Sequence, residues 1–352
     1  MLRTSRWTPR TAALALVLGA ATLLLGSGSA HAQGNLTLYC SPQIEWCQIM
    51  VSEFEKATGI KVAMTRKSSG ETYAQVKAEA ANPKGDIWWG GTGDPHLQAA
   101  EEGMTVEYTS PKQAELQEWA VNAHKASKGR TVGVYAGALG FGYNTEVVAK
   151  KKLPEPKCWM DLIKPEFKGE IQVADPNSSG TSYTMLATMV QMFGEDKGFD
   201  YLKQLHKNVN QYTKSGSAPI KAAAQGETAV GIVFMHDAVT MAVRGSPIKV
   251  VAPCEGTGYE IGSMSIIKGA RNLDSAKKFY DWALTPAAQN LAAKPGVDAF
   301  QVPSNKGSTT PPQAPKFAEI KLINYDFAKY GSSAERKRLL DKWGKEVKAL
   351  PQ

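Results

Sequence analysis

The sequence is short of the residues that usually announce an enzyme or a metal protein. It has only 4 cysteines in 352 residues, and none of Cys40, Cys47, Cys158 and Cys254 has the C-x-x-C spacing of zinc and thiol-redox sites. No G-x-S-x-G elbow, no phosphate loop ending in Gly-Lys-Ser/Thr and no H-E-x-x-H helix occurs. Gly256-x-Gly258-x-x-x-Gly262 misses the dinucleotide fingerprint by one residue. These gaps leave no catalytic residue, cofactor or metal to expect. Adjacent His236 and Asp237 keep a hydrolase open as the least favoured alternative, because neighbours on a strand point to opposite faces and bond one another poorly.

Long apolar runs and strong charge are also scarce. The one long apolar run, Ala13 to Leu25, follows Arg3, Arg6 and Arg10 and leads through Gly26–Ser29 to Ala30-His31-Ala32. That is the pattern of a secretory signal peptide over residues 1–32, with the mature chain starting at Gln33 outside the cytoplasm, which the resemblance given below makes the periplasm. No other run approaches the ~20 residues of a membrane span. Removing three arginines takes the formal charge from +8 to +5. Basic residues then cluster only in short runs such as Lys150-Lys151-Lys152 and Arg336-Lys337-Arg338, without interleaved aromatics, so no nucleic-acid partner is expected. Four cysteines in an oxidising compartment predict disulfides; of three connectivities, Cys40–Cys47 with Cys158–Cys254 is preferred.

What is present is a repeated strand, turn and helix. Leu36–Tyr39 reads as a strand, Ser41-Pro42 as N-cap and first helical residue, and Gly59 as the C-cap of the helix carrying Ile44, Cys47, Val51 and Phe54. Ile60–Met64 and Asp86–Trp89 read as further strands. They run into helices expected near Glu71 and His96. Thr131–Tyr143 reads as extended chain crossing between two lobes, and Pro253–Gly258 as a second crossing. Glu170–Val173 is a strand before the helix of Met185, Met189 and Phe193. Val230–Asp237 is an apolar strand delivering His236 and Asp237 to its C-terminal edge. The fold expected is α/β and two-lobed, each lobe a mainly parallel sheet flanked by helices. Its first lobe spans 33–138 and 257–303, its second 139–256, and a C-terminal loop with helices, 304–352, packs on both.

The informative feature is a set of hydroxyl-bearing turns between strands and helices: Ser68-Ser69, Gly91-Thr92-Gly93, Ser178-Ser179-Gly180-Thr181 and Ser215-Gly216-Ser217. Helix N-termini offer unpaired N–H groups and partial positive charge, and small hydroxyl residues add donors there, so such turns suit an oxyanion. Each is equally an ordinary N-cap taken singly. Beside them stand His236, Asp237 and Glu260, with Glu255 competing for the role of Glu260 and a simple N-cap competing as the role of Asp237. Two carboxylates repel a bare anion. The combination therefore suits a small molecule with one anionic end and one end that donates hydrogen bonds, as sugar hydroxyls or an ammonium do.

Several stretches together resemble the solute-binding proteins of ABC importers, in the two-lobed branch of ferric-iron and polyamine binders. They are Leu38-Tyr39-Cys40-Ser41, Phe54-Glu55-Lys56-Ala57-Thr58-Gly59-Ile60-Lys61-Val62, Gly85–Gly91, Gly140–Asn144 and Ile261–Ser265. Ferric binders usually carry adjacent tyrosines, and this chain has no Tyr-Tyr pair. Phe234-Met235-His236-Asp237 with Glu260 instead resembles the hexose-phosphate branch. The resemblance implies ligand contacts from Ser68 or Ser69, His236, Asp237 and Glu260. It also implies a monomer that hands a sugar phosphate to an inner-membrane permease. Ferric iron and an aminoalkylphosphonate are the alternatives. Thr92, Ser178, Ser179, Gly180, Thr181 and Ser217 complete the expected ligand-binding set, from helix N-terminus physics.

Overall fold

The computed structural model describes residues 34–352; the signal peptide and its cleavage site lie outside them. Ten strands form one sheet: β1 (Asn35–Cys40), β2 (Lys61–Arg66), β3 (Ile87–Trp89), β4 (Val132–Asn144), β5 (Ile171–Ala174), β6 (Val209–Thr213), β7 (Val230–Phe234), β8 (Ile248–Val251), β9 (Tyr259–Ile266) and β10 (Val302–Pro303). Their order is β2-β1-β3-β9-β4-β7-β5-β6, with β8 and β10 also on β4. The outer wings, β2-β1-β3 and β7-β5-β6, contain the parallel pairs. The pairs made by β4 and β9 are antiparallel.

The 13-residue β4 explains the two lobes. Val132 to Ala138 pair with β9, and from Leu139 onward the same strand pairs with β7 and β8. Every residue of it is buried, which is why it reads as a run of Val, Ala, Gly and aromatics without polar alternation. One core gathers around its first half: Leu38, Phe54, Ile87 and Met264 with Phe279. A second gathers around its other half: Phe141, Ile171, Tyr183, Leu186 and Ile232. Each such side chain fully withdrawn from water contributes about 1.5–3 kcal/mol, so each lobe has its own source of stability. The C-terminal helix Ser333–Trp343 joins the second core through Leu339 and Trp343. No described helix is long and apolar enough to cross a membrane.

Local chemistry moved several boundaries. The first helix is Ile44–Thr58 with Gln43 at its N-cap, not a helix capped by Ser41. The Ser41 hydroxyl is taken by Trp88 Nε1 at 2.9 Å and by Thr72 Oγ1 at 3.1 Å, and Ser41 N still donates to Trp89 O. Gly59 ends that helix at φ 73°, the left-handed conformation expected of a glycine cap. The next two helices start earlier than their apolar spacing suggested, at Ser69 behind Ser68 and at Gly93 behind Thr92.

The largest correction concerns Val230–Asp237. The strand stops at Phe234, and Met235–Val243 is a helix, so His236 and Asp237 occupy a first helical turn and not a strand edge. Leu139 is the last residue of β4 that faces β7, at Phe234; Ala138 already pairs with Tyr259 of β9. With its ladder partner gone, the chain turns into helix. Asp237 is not the N-cap either; Phe234 holds that position. The short β10, Val302–Pro303, pairs with β4 just ahead of the C-terminal segment.

Both disulfides are the preferred ones, Cys40–Cys47 and Cys158–Cys254, and no described cysteine is free. The second spans 96 residues of sequence, for which loop-closure entropy gives roughly 4–5 kcal/mol.

Candidate functional site

The C-terminal ends of the parallel strands on both wings point into one cleft, the usual ligand position in open α/β sheets. From the first wing it receives Ser68 and Ser69 behind β2, and Thr92 behind β3. From the second it receives Ser179, Gly180 and Thr181 behind β5, and Ser217 behind β6. His236, Asp237 and Glu260 complete the lining expected from the sequence.

Ser178 alone of the expected residues does not line the cleft. Its hydroxyl donates to backbone oxygens of Asp175 and Lys214. Its carbonyl accepts from Gly70 N at 3.0 Å and Glu71 N at 3.2 Å, which ties the two lobes across the cleft mouth. The same closure brings Gly180 against Thr92: a Cβ there would lie 1.8 Å from Thr92 Oγ1, so only glycine permits this approach.

One end of the cleft is rich in donors that have nothing to bind. The hydroxyls of Ser68 and Thr92 are buried and unpartnered, whereas Ser69 Oγ accepts from Thr92 N at 3.1 Å. Arg66, the last residue of β2, also lines the cleft and lies within the field of Asp237. It is fixed by donating from Nε to Pro42 O at 2.9 Å and from Nη2 toward Ser41 O and Ser215 Oγ. Burial lowers its pKa, opposed by Asp237 and Glu71, yet a guanidinium keeps its proton.

The other end is acidic. Glu260 is 3 % exposed, and burial pushes its pKa well above the ordinary 4.5, with the charges of Asp237 and Asp94 adding to it. His236 Nε2 stands 3.8 Å from Glu260 Oε1 and 3.9 Å from Asp237 Oδ2, too far for hydrogen bonds. Burial lowers the His236 pKa, with Asp237 opposing, so the imidazole is neutral, and its Nδ1 is an unpartnered buried nitrogen. Gly137 makes room for it: a Cβ there would be 2.5 Å from His236 Nδ1. Gln43 Nε2 donates to Asp237 Oδ1 across the cleft.

Sequence reasoning missed Arg66, Gln43, Tyr135 and Gln301, all of which line the cleft. Arg66 was the findable one, a cation closing a strand immediately before Lys67-Ser68-Ser69. Tyr135 accepts from Gly91 N at 2.7 Å and so holds that turn. Glu255, the competitor of Glu260, instead caps a turn by accepting from Trp159 N and Met160 N at 2.8 and 3.0 Å. Among the described residues the converging set of metal-type ligands is Cys158, Cys254 and Glu255, and both sulfurs there are consumed in a disulfide.

A family described as bacterial extracellular solute-binding protein matches residues 83–330. An uncharacterised protein of Haemophilus influenzae is 48% identical over 323 residues, covering 92% of this chain and 93% of the relative. Among solved structures, the periplasmic binding protein AfuA from Actinobacillus pleuropneumoniae, with exogenous fructose 6-phosphate bound, is 46% identical. It superposes with a TM-score of 0.88 over 91% of this chain and 100% of AfuA. The periplasmic binding protein P5PA is 40% identical, with a TM-score of 0.86 over 89% of this chain and 99% of P5PA. The chain thus belongs to the bacterial extracellular solute-binding proteins, two-lobed periplasmic binding proteins that serve ABC importers.

Proposed function

We propose that this protein closes its lobes around a sugar phosphate and delivers it to an inner-membrane permease. The observation that carries the reading is the pairing, in one cleft, of unpartnered donors with unpartnered acceptors. Ser68 Oγ and Thr92 Oγ1 are the donors, and His236 Nδ1 and Gln301 Oε1 the acceptors. A buried polar group without a partner costs about 1–3 kcal/mol, so a ligand matching both ends recovers that cost on binding. The phosphate is assigned to Arg66, Ser68, Ser69, Thr92 and the helix start at Ser179–Thr181. The sugar hydroxyls are assigned to His236, Asp237 and Glu260. AfuA, seen with fructose 6-phosphate, supports this class of ligand.

The lobes that close are 33–138 with 257–303 and 139–256, with hinges in β4 and at Pro253–Gly258. The mature chain begins at Gln33, acts as a monomer, and performs no chemistry on its ligand. Thermal shift of the mature protein against fructose 6-phosphate, fructose, 2-aminoethylphosphonate and ferric citrate tests the reading, because ligand binding raises apparent stability by mass action. The sugar phosphate is expected to give the largest rise. A rise with iron or the aminophosphonate alone overturns the assignment, and turnover of the sugar phosphate overturns the non-enzymatic reading.

A further inference from the structure

Behind the cleft lies a second and larger opening. Strand alternation sends Glu260 into the cleft and its neighbours Tyr259 and Ile261 to the opposite face of β9. There they floor a groove of about 680 Å³, inside the roughly 300–1,000 Å³ range of small-molecule sites. One wall comes from the first lobe: Leu97 on the helix Gly93–Glu101 and Trp119 on the helix Glu118–Ala126. The other comes from Phe327, whose ring packs on the second core and stands 5.3 Å from that of Tyr259. The walls come from the first lobe and from the C-terminal segment, which packs on both lobes, and the floor is a strand that also supplies the cleft.

Charge at the groove selects the occupant. Lys128 and Arg130 both line it. Arg130 donates from Nη1 to the Thr105 carbonyl at 2.6 Å, and neither cation has a carboxylate partner among the described residues. The acid on the same lining, Glu101, already accepts from Ser333 N at 2.6 Å. We infer that this groove is a second binding site, for a small amphipathic anion. Its aromatic or alkyl body lies against Trp119, Ile261 and Phe327, and its carboxylate or sulfonate meets Lys128 and Arg130. Occupancy favours the closed cleft, because the groove has its present width while Ser178 O is bonded to Gly70 N and Glu71 N. Linkage then requires the cleft ligand to tighten the groove ligand by the same factor.

The probe is 1-anilinonaphthalene-8-sulfonate, followed by fluorescence on the folded mature protein. One equivalent is expected to bind. Lys128→Glu with Arg130→Glu is expected to weaken it at least tenfold in a protein that remains folded, and Ala126→Trp, which fills the groove from an exposed position on its lining, to abolish it. Saturating probe is expected to tighten fructose 6-phosphate severalfold in wild type and not in Ala126→Trp. Binding that survives both variants, or that fructose 6-phosphate displaces competitively, overturns the site. Unchanged sugar-phosphate affinity at probe saturation overturns the coupling. The coupling alone rests on the sugar-phosphate reading: if fructose 6-phosphate does not bind, that reading fails, and the probe's stoichiometry and charge dependence still decide the groove.

Discussion

The two ends of the cleft solve opposite electrostatic problems on the same scaffold. At the donor end, helix starts present N–H groups and the Ser68 and Thr92 hydroxyls have no partner, with the Arg66 guanidinium also in the cleft. At the acidic end, Asp237 and Glu260, whose pKa burial raises, stand beside a neutral imidazole. A molecule carrying only an anion satisfies the first end and is repelled by the second; a neutral sugar does the reverse. On the proposed reading, affinity for an intact sugar phosphate arises from both groups at once, and each can be broken separately.

The largest loss is expected for Asp237→Ala. If Asp237 binds the sugar as proposed, removing its buried carboxylate strands both the ligand hydroxyls and Gln43, a cost of roughly 2–5 kcal/mol. Calorimetry should show fructose 6-phosphate affinity falling by two orders of magnitude or more, and a fall of less than threefold would remove Asp237 from the site. Arg66→Gln comes next. A charge-assisted bond to phosphate is worth about 1.5–3 kcal/mol, so affinity for sugar phosphate should drop about 10–100-fold while any weak binding of free fructose stays unchanged. Thr92→Val keeps shape and removes one hydroxyl, for a loss of about 1 kcal/mol, or roughly fivefold.

The smallest effect is one of pH. The folded state raises the Glu260 pKa above its ordinary 4.5, so the native protein binds a proton there more tightly than the unfolded chain. Stability from this group is fully present below about 4.5 and is lost as pH rises toward the raised value. Glu260→Gln should flatten that part of the melting-temperature profile. A wild-type profile that rises as steeply as the variant's above pH 4.5 would contradict the raised pKa.

The donor end was largely legible in the sequence because its signal is local: a small hydroxyl residue between a strand and a helix faces a helix start whatever the rest of the chain does. Ser68, Ser69, Thr92 and Ser179–Thr181 all follow that rule. Ser178 shows its limit, since the turn is bonded through its carbonyl to the other lobe and only the next residues reach the cleft. The residue types of the acidic end were legible, but their element was not. His236-Asp237 turns helical because β4 changes partners at Ala138–Leu139, a fact of pairing between residues about 95 positions apart. Gln43, Tyr135 and Gln301 carried no local signal, because each reaches the cleft only through packing of distant segments. The two-lobed layout was legible because an unbroken apolar stretch such as 132–144 has few uses besides a strand buried along its whole length.

The division of labour between the ends is tested most directly by titrating wild type and Asp237→Ala in parallel with fructose 6-phosphate and with inorganic phosphate. In wild type the sugar phosphate should bind far more tightly than phosphate. In the variant the sugar phosphate should fall to about the affinity of phosphate, whose own binding stays unchanged or improves as a repelling charge is lost. If phosphate alone matches fructose 6-phosphate in wild type, or if Asp237→Ala weakens both equally, the acidic end does not read the sugar.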